Sequence, residues 1–265
     1  LAYLGGTLVP NTVGDRGEVI KLALGRLMPT LKVLLAMKWL ELLLHSSATS
    51  LRMSILLEQL GDPPQPLIQL HTGTLDEVPS PEGTPPPPMA RADSTGKLLK
   101  IPSTTPIQHR IVNRNDFPVY VWVIGFNGTD AFASYATDPT GTGADQKPVL
   151  KPLVLAPKAT VILPAAGQAW KASSGAGLTK TYFVCTRQPC PQTLLAQSNR
   201  LRFILANIPV GLAQQAEPLT IVEKLWMDLH QASASTAAVI GITSQDVWSL
   251  DTQEWAAASC IYATV

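Results

Sequence analysis

Three cysteines and four histidines are the residues through which this sequence could build an activated nucleophile. A thiol hydrolase needs a thiolate and an imidazole base within hydrogen-bond reach of each other. Cys185 follows Tyr182, Phe183 and Val184 in a strand-like run, and Cys260 lies in the final apolar segment, so both read as small core hydrophobes. Cys190 sits between Pro189 and Pro191, in a rigid turn. His45 and His230 fall near the C-terminal ends of helical stretches, where a cation suits the dipole. His109 alternates with Gln108 and Arg110 in a strand pattern. His71, followed by Thr72 and Gly73, is the one histidine in a site-like setting. The enzymatic reading to weigh is therefore a thiol hydrolase using Cys190 or Cys185 with His71. No cysteine stands beside a glycine-rich oxyanion element, so no residue is assigned a catalytic role.

Other chemistries find less. Cys185 and Cys190 are two possible metal ligands, but no second pair or closely spaced histidines accompany them, and no metal is expected. Gly125-Phe126-Asn127-Gly128 reads as a hairpin turn. Gly141-Thr142-Gly143 lacks the helix and lysine of a nucleotide loop, so no cofactor is expected. Trp122, Trp170, Trp226, Trp248 and Trp255 sit at periodic positions that favour core over a binding platform. A net charge of +1, with scattered basic residues, offers nucleic acid no general attraction. The odd, sparse cysteine count does not fit a secreted disulfide framework, although Cys185 and Cys190 could pair if their strand turned back. A cytoplasmic location is the expectation.

The elements that must position these residues are legible in the periodicity. Hydrophobic residues make up 46% and charged residues 15%, enough to bury a core over 265 residues and low enough that much surface is expected to be covered. Asp15 and Glu18 have capping-box spacing ahead of a helix carrying Val19, Ile20, Leu22, Ala23, Leu27, Leu31, Leu34, Leu35, Trp39, Leu42 and Leu43. Pro29 should kink it or start a new helix. Lys32, Lys38 and Glu41 interrupt the run, so a core helix buried on more than one side is expected in place of a membrane span.

Strand alternation begins at Leu51, Met53, Ile55 and Leu57, and a second short strand is expected over 66–70. The segment 77–93, with its proline run at 85–88, reads as a stiff solvated loop, with SH3-type binding the alternative. Strands follow at 107–113 and 118–126, the latter apolar on both faces. Asn127-Gly128 suits a type I′ hairpin, with a returning strand over 129–137 and a polar loop over 138–146. Further strands are expected at 153–155, 160–163 and 178–185, and a short helix over 192–197. Pro218, preceded by Glu217, starts a helix whose stripe is Leu219, Val222, Leu225, Trp226 and Leu229. Segments 247–250 and 255–265 close the chain, the last as a buried strand.

The expected fold is mainly β (α+β): an antiparallel β-sandwich, Ig-like in character, with a long N-terminal helix and a C-terminal helix packed on it. Its parts are a helical segment over 1–48, a sandwich domain over 49–200 with the proline-rich loop at 77–93, and a C-terminal helix and closing strand over 201–265. Leu1 in place of Met points to a chain that begins inside a longer product, through cloning or processing, with the first part continuing an upstream domain; residues 1–10 lack the charged stretch ahead of an apolar one that a signal peptide would show.

The string Gly5-Gly6-Thr7-Leu8-Val9-Pro10-Asn11-Thr12-Val13-Gly14, then Gly17-Glu18-Val19 and the helix with Leu31, Leu34, Leu35, Ala36 and Lys38, resembles the C-terminal region of cyanobacterial caspase-like proteins. So do segment 119–125, Leu155-Ala156-Pro157 and the closing Leu250-Asp251, Trp255 and Tyr262. The resemblance spans nearly the whole chain. It implies a region of uncharacterised function that follows a cysteine peptidase domain. That family's His-Gly pair and Asp-x-Cys setting are missing, since Thr72 follows His71 and no cysteine has an aspartate two places before it. The resemblance therefore implies an accessory, interaction-type region whose partner is the upstream caspase-like domain or another protein. A surface carbohydrate- or protein-binding sandwich is the further alternative.

Overall fold

A computed structural model describes residues 14, 17–45, 50–73, 98–127, 130–134, 152–164, 170–171, 177–202, 212–215, 217–239 and 254–265. Their elements run in chain order as helix α1 (Ile20–His45), strands β1 (Met53–Gln59), β2 (Gln65–Thr72), β3 (Lys100–Ile101), β4 (Pro106–Asn113), β5 (Val119–Asn127), β6 (Asp130–Ser134), β7 (Leu153–Leu155), β8 (Thr160–Leu163), β9 (Trp170–Lys171) and β10 (Gly177–Thr186), helix α2 (Pro191–Arg200), strands β11 (Leu201–Arg202) and β12 (Leu212–Gln215), helix α3 (Pro218–Val239) and strand β13 (Trp255–Thr264). Strand outweighs helix, so the fold is mainly β.

The strands form two sheets. In the first, β2, β1, β4 and β8 lie side by side in that order, and β9 also pairs with β4. In the second, the order is β11-β12-β6-β5-β10-β13-β3, with β7 also on β5. Every pairing is antiparallel except β13 with β3, which is parallel and makes the second sheet mixed. The last strand lies inside this sheet, between β10 and β3, where its full length pairs with β10.

The alternation read from Leu51 to Leu57 is the signature of one buried face. Leu51, Met53, Ile55 and Leu57 share a cluster with Ile107 and Ile111 of β4 and, from the second sheet, Val119, Val121, Val123, Phe183, Cys185, Ala258, Cys260 and Tyr262. The second sheet is apolar on both faces, which explains why β5 shows no alternation. Its other face, with Trp122, Ile124, Phe126, Tyr182, Val184 and Trp255, forms a second cluster with residues of α1 and α3. From α1 come Val33, Ala36, Leu40 and Leu43; from α3 come Ile221, Val222, Leu225 and Leu229.

Polar groups fix how these helices sit. Tyr182 donates its hydroxyl to the Met37 carbonyl at 3.2 Å. Lys180 on β10 pairs with Glu41 at 2.8 Å. Asp228 of α3 accepts the Thr193 amide at 2.8 Å and its hydroxyl at 2.7 Å, satisfying backbone donors in the first turn of α2.

The helical expectations need three corrections. Glu18 precedes α1 and pairs with Arg26 at 2.7 Å instead of closing a capping box, and Asp15 lies outside the described residues. One helix runs through Pro29, so no second helix starts there. α1 buries a single stripe, and several of its large apolar residues are exposed. Among the described residues, no helix is long and apolar enough to cross a membrane. The 77–93 and 138–146 loops, the 247–250 segment and Gly128 of the hairpin turn lie outside the described residues; β6 does pair with β5, Asn127 facing Asp130.

Two connections cross between the sheets side by side, β4 to β5 and β7 to β8, and one buried asparagine joins them. Asn113 Nδ2 donates to the carbonyls of Phe117 at 2.8 Å, Leu155 at 3.1 Å and Ala156 at 3.0 Å. Its Oδ1 accepts from the backbone amide and side-chain amide of Asn115, both at 2.9 Å. Asn115 in turn bonds the Arg52 backbone in both directions at 3.0 Å, tying in the start of β1. Lys158 adopts a left-handed φ of 58° beside this knot, and its ammonium reaches the Arg114 carbonyl at 2.7 Å. Asn113→Ala would strand three carbonyls and an amide. It should lower stability by about 3 kcal/mol, read as a drop in urea midpoint at unchanged slope. A loss under about 0.5 kcal/mol, the range of ordinary surface changes, would show the knot to be dispensable.

Candidate functional site

The residues considered for a thiol hydrolase fall in different places. Cys185 lies between the two sheets, in the cluster that also holds Cys260. Cys190 belongs to the cluster on the helix side of the second sheet, where its sulfur lies 3.7 Å from the Thr186 hydroxyl. His71 is on β2 of the first sheet, where its Nε2 bonds the Gln69 side chain at 2.9 Å. Its neighbour Thr72 is the residue of this pair that turns inward, donating to the Leu51 carbonyl and accepting the Met53 amide. His71 therefore faces away from the inter-sheet core that holds Cys185. Cys190 is separated from it by both sheets.

Electrostatics agrees with this separation. All three thiols are free and buried, and burial pushes each up to about 12. For Cys190 the Asp228 charge adds to the rise, and the Thr186 hydrogen bond only partly opposes it. Such thiols are protonated at neutral pH and lack the activation a nucleophile needs. His109 lies fully inside, edge-on to Phe183 at 5.2 Å between ring centroids, and burial pulls its pKa down to about 3. His230 is exposed on α3, and His45 is the last residue of α1. Among the described residues, no group of three or more His, Cys, Asp or Glu is arranged to hold a metal ion. Of the tryptophans, Trp122 and Trp255 are buried core residues and Trp226 packs at the edge of the helix-side cluster.

The surface feature that stands out is on α1. Its buried residues Thr30, Val33, Ala36, Leu40 and Leu43 follow helical spacing along one face. A second apolar row, Leu24, Met28, Leu31, Leu35 and Leu42, runs along the opposite face and is 38–51% exposed. The positions 24, 28, 31, 35 and 42 follow the alternating four-and-three spacing of a coiled-coil seam, and Lys38 fills the remaining place. Ile20, 77% exposed, extends the row toward the N-terminus. The exposed charges beside it are the cations Lys21 and Lys32. Glu41, the helix's one carboxylate, is engaged by Lys180 and Lys38. Burial opposes its ionisation, but the Lys180 bond and charge outweigh that and hold the carboxyl below its usual range. The signal for this surface was present in the sequence as two apolar periodicities on one helix; reading the whole helix as core hid the second.

Two outcomes follow from the sealed groups. A thiol reagent at neutral pH should label the native chain far more slowly than the urea-unfolded chain at every cysteine. Rapid native labelling of Cys190 would place it in an open site. His109 has a folded pKa below its unfolded value of 6.5, so the neutral ring supports the fold above that pH. This support drains away as pH falls from 6.5 toward about 3. The slope is up to about 1.4 kcal/mol per pH unit. His109→Leu should flatten the stability profile in that window; an unchanged slope would mean the ring takes up its proton within the fold.

No protein-family model, curated protein or solved structure matches this chain, so no relative's chemistry carries over to its residues.

Proposed function

We propose that this chain is a non-catalytic accessory region that works by docking, with the exposed row of α1 as its docking surface. The observation that carries the reading is the second apolar row on α1, opposite the stripe that the rest of the fold already covers. An isolated exposed leucine needs no explanation, but a contiguous row at seam spacing does. The partner is a helix with its own apolar seam and acidic flanks. The spacing of Leu24, Met28, Leu31, Leu35 and Leu42 calls for knobs-into-holes packing, and Lys21 and Lys32 call for carboxylates opposite. The row spans about 27 Å of helix at about 1.5 Å per residue, enough for a modest interface.

The resemblance to the C-terminal region of caspase-like proteins makes a peptidase domain of that class the first partner to test. In this reading the two sheets are an Ig-like sandwich that carries α1 and α3 on one outer face. The burial of Cys185 and Cys190 and their separation from His71 support a role without covalent chemistry.

The test is titration of the full chain against a caspase-like peptidase domain by calorimetry. The expected result is a saturable complex that Leu31→Glu and Leu35→Glu each weaken about tenfold or more, with thermal stability of the chain unchanged. Indifference of the two proteins, or a complex unaffected by both variants, would remove α1 as the docking surface. Self-association through the same row would replace the partner helix with a second copy.

A further inference from the structure

The outer face of the first sheet, turned away from the inter-sheet core, carries a ladder of polar side chains. At one end of the ladder Arg110 is neutralised: Glu58 accepts its Nε at 2.9 Å and its Nη2 at 3.2 Å, and Gln108 donates to the same carboxylate at 2.7 Å. The other end is built differently. Ser54 on β1 is directly opposite His71 on β2 in the strand register. One step further along, Arg114 follows β4 and its amide donates to the Arg52 carbonyl at 3.0 Å, so two arginines meet at this corner. The Arg114 charge is felt at His71, whose pKa is lowered first by burial and then by that cation. The acid at this corner, Asp116, is paired with Lys158 at 2.9 Å and also interacts with the Arg52 charge.

Three buried donor atoms of this corner have no hydrogen-bond partner among the described residues: Ser54 Oγ, His71 Nδ1 and Arg114 Nε. Ser54 itself is 1% exposed. The Gln69 amide nitrogen donates to His71 Nε2, which leaves the ring proton on Nδ1. All three orphans are thus able to donate, and one of them belongs to a guanidinium group. Buried donors left unmatched are uncommon in a folded chain. The backbone under them is tightly held. The Asn115 side chain grips Arg52 in both directions. Gly73, at a φ of +77°, packs so closely that a Cβ there would meet the Leu51 carbonyl oxygen at 2.9 Å and Arg52 Cγ at 3.2 Å.

We propose that Ser54, His71 and Arg114 form a binding site for a tetrahedral oxyanion, phosphate or a phosphomonoester. The ligand supplies the acceptors that the three donors lack and the negative charge that the Arg114 guanidinium calls for. Guanidinium forks match phosphate oxygens, and the Ser54 hydroxyl and the His71 Nδ1–H add directional bonds. The site is on β1, β2 and the end of β4, with no residue of α1, so it stands or falls independently of the docking surface.

The test uses the full chain with sodium phosphate, at ionic strength held constant with sodium chloride. Phosphate should raise the melting temperature saturably, chloride should not, and phosphate should move the His71 ring resonances in an NMR titration. Arg114→Gln and Ser54→Ala should each weaken phosphate binding about tenfold or more, with little change in melting temperature in its absence. Binding of inorganic phosphate alone assigns the free ion, and binding of methyl phosphate as well assigns a phosphomonoester; both support the site. The proposal is overturned if phosphate gives no saturable effect, or if the His71 resonances stay still. It is equally overturned if folded Arg114→Gln binds phosphate as tightly as the natural chain. Should that variant fail to fold, the His71 titration of the natural chain decides alone.

Discussion

The buried side chain of Asn113 is the constraint on which much of this architecture depends. It is fully enclosed and uses both ends of its amide, reaching three carbonyls on one side and Asn115 on the other. Those partners belong to the two adjacent passages of chain between the sheets. Two sheets sharing only an apolar core can slide, because burial has no direction. A hydrogen-bonded knot has direction, and a misplaced one leaves several polar groups dry. Asn113 therefore sets how β4 and β8 of one sheet stand relative to β5 and β7 of the other. Through Asn115 it also sets the path of Arg52 into β1.

With the sheets fixed, the rest follows from the second sheet having two apolar faces. One face closes the core against β1 and β4 and takes His109, Cys185 and Cys260 out of water. The other face clusters with α1 and α3 and encloses Cys190. A small thiol is a suitable filler in both places, and in both the low dielectric holds it protonated. The same layering divides α1 into a stripe that is used and a row that is not. The three cysteines are thus turned inward, while the second apolar row of α1 faces outward.

Much of this was legible in the residues. Leu51, Met53, Ile55 and Leu57 alternate with Arg52, Ser54 and Glu58, which face away from the core, so the strand declared itself although Leu56 breaks the pattern. Pro218 marked a helix start because a missing amide costs nothing in the first turn. The short strands β3, β9, β11 and β12 were not legible, since they carry no period and lack the apolar runs that marked the equally short β7 and β8. The parallel pairing of β13 with β3 is equally a matter of tertiary placement. For the sites, His71 was singled out, but its partner was sought among the cysteines. Ser54, its neighbour across the strand pair, is separated from it by a turn and became visible only through register. On α1, composition announced burial, but an apolar residue count cannot distinguish two opposite faces.

The account rests on α1 using its outer row to hold another protein. Amide hydrogen exchange across the full chain, alone and with a saturating caspase-like peptidase domain, examines this most directly. It predicts slower exchange over residues 24–42 in the complex, with the amides of β13 unchanged. Equal exchange over 24–42 in the two states, or protection confined to other elements, would contradict it.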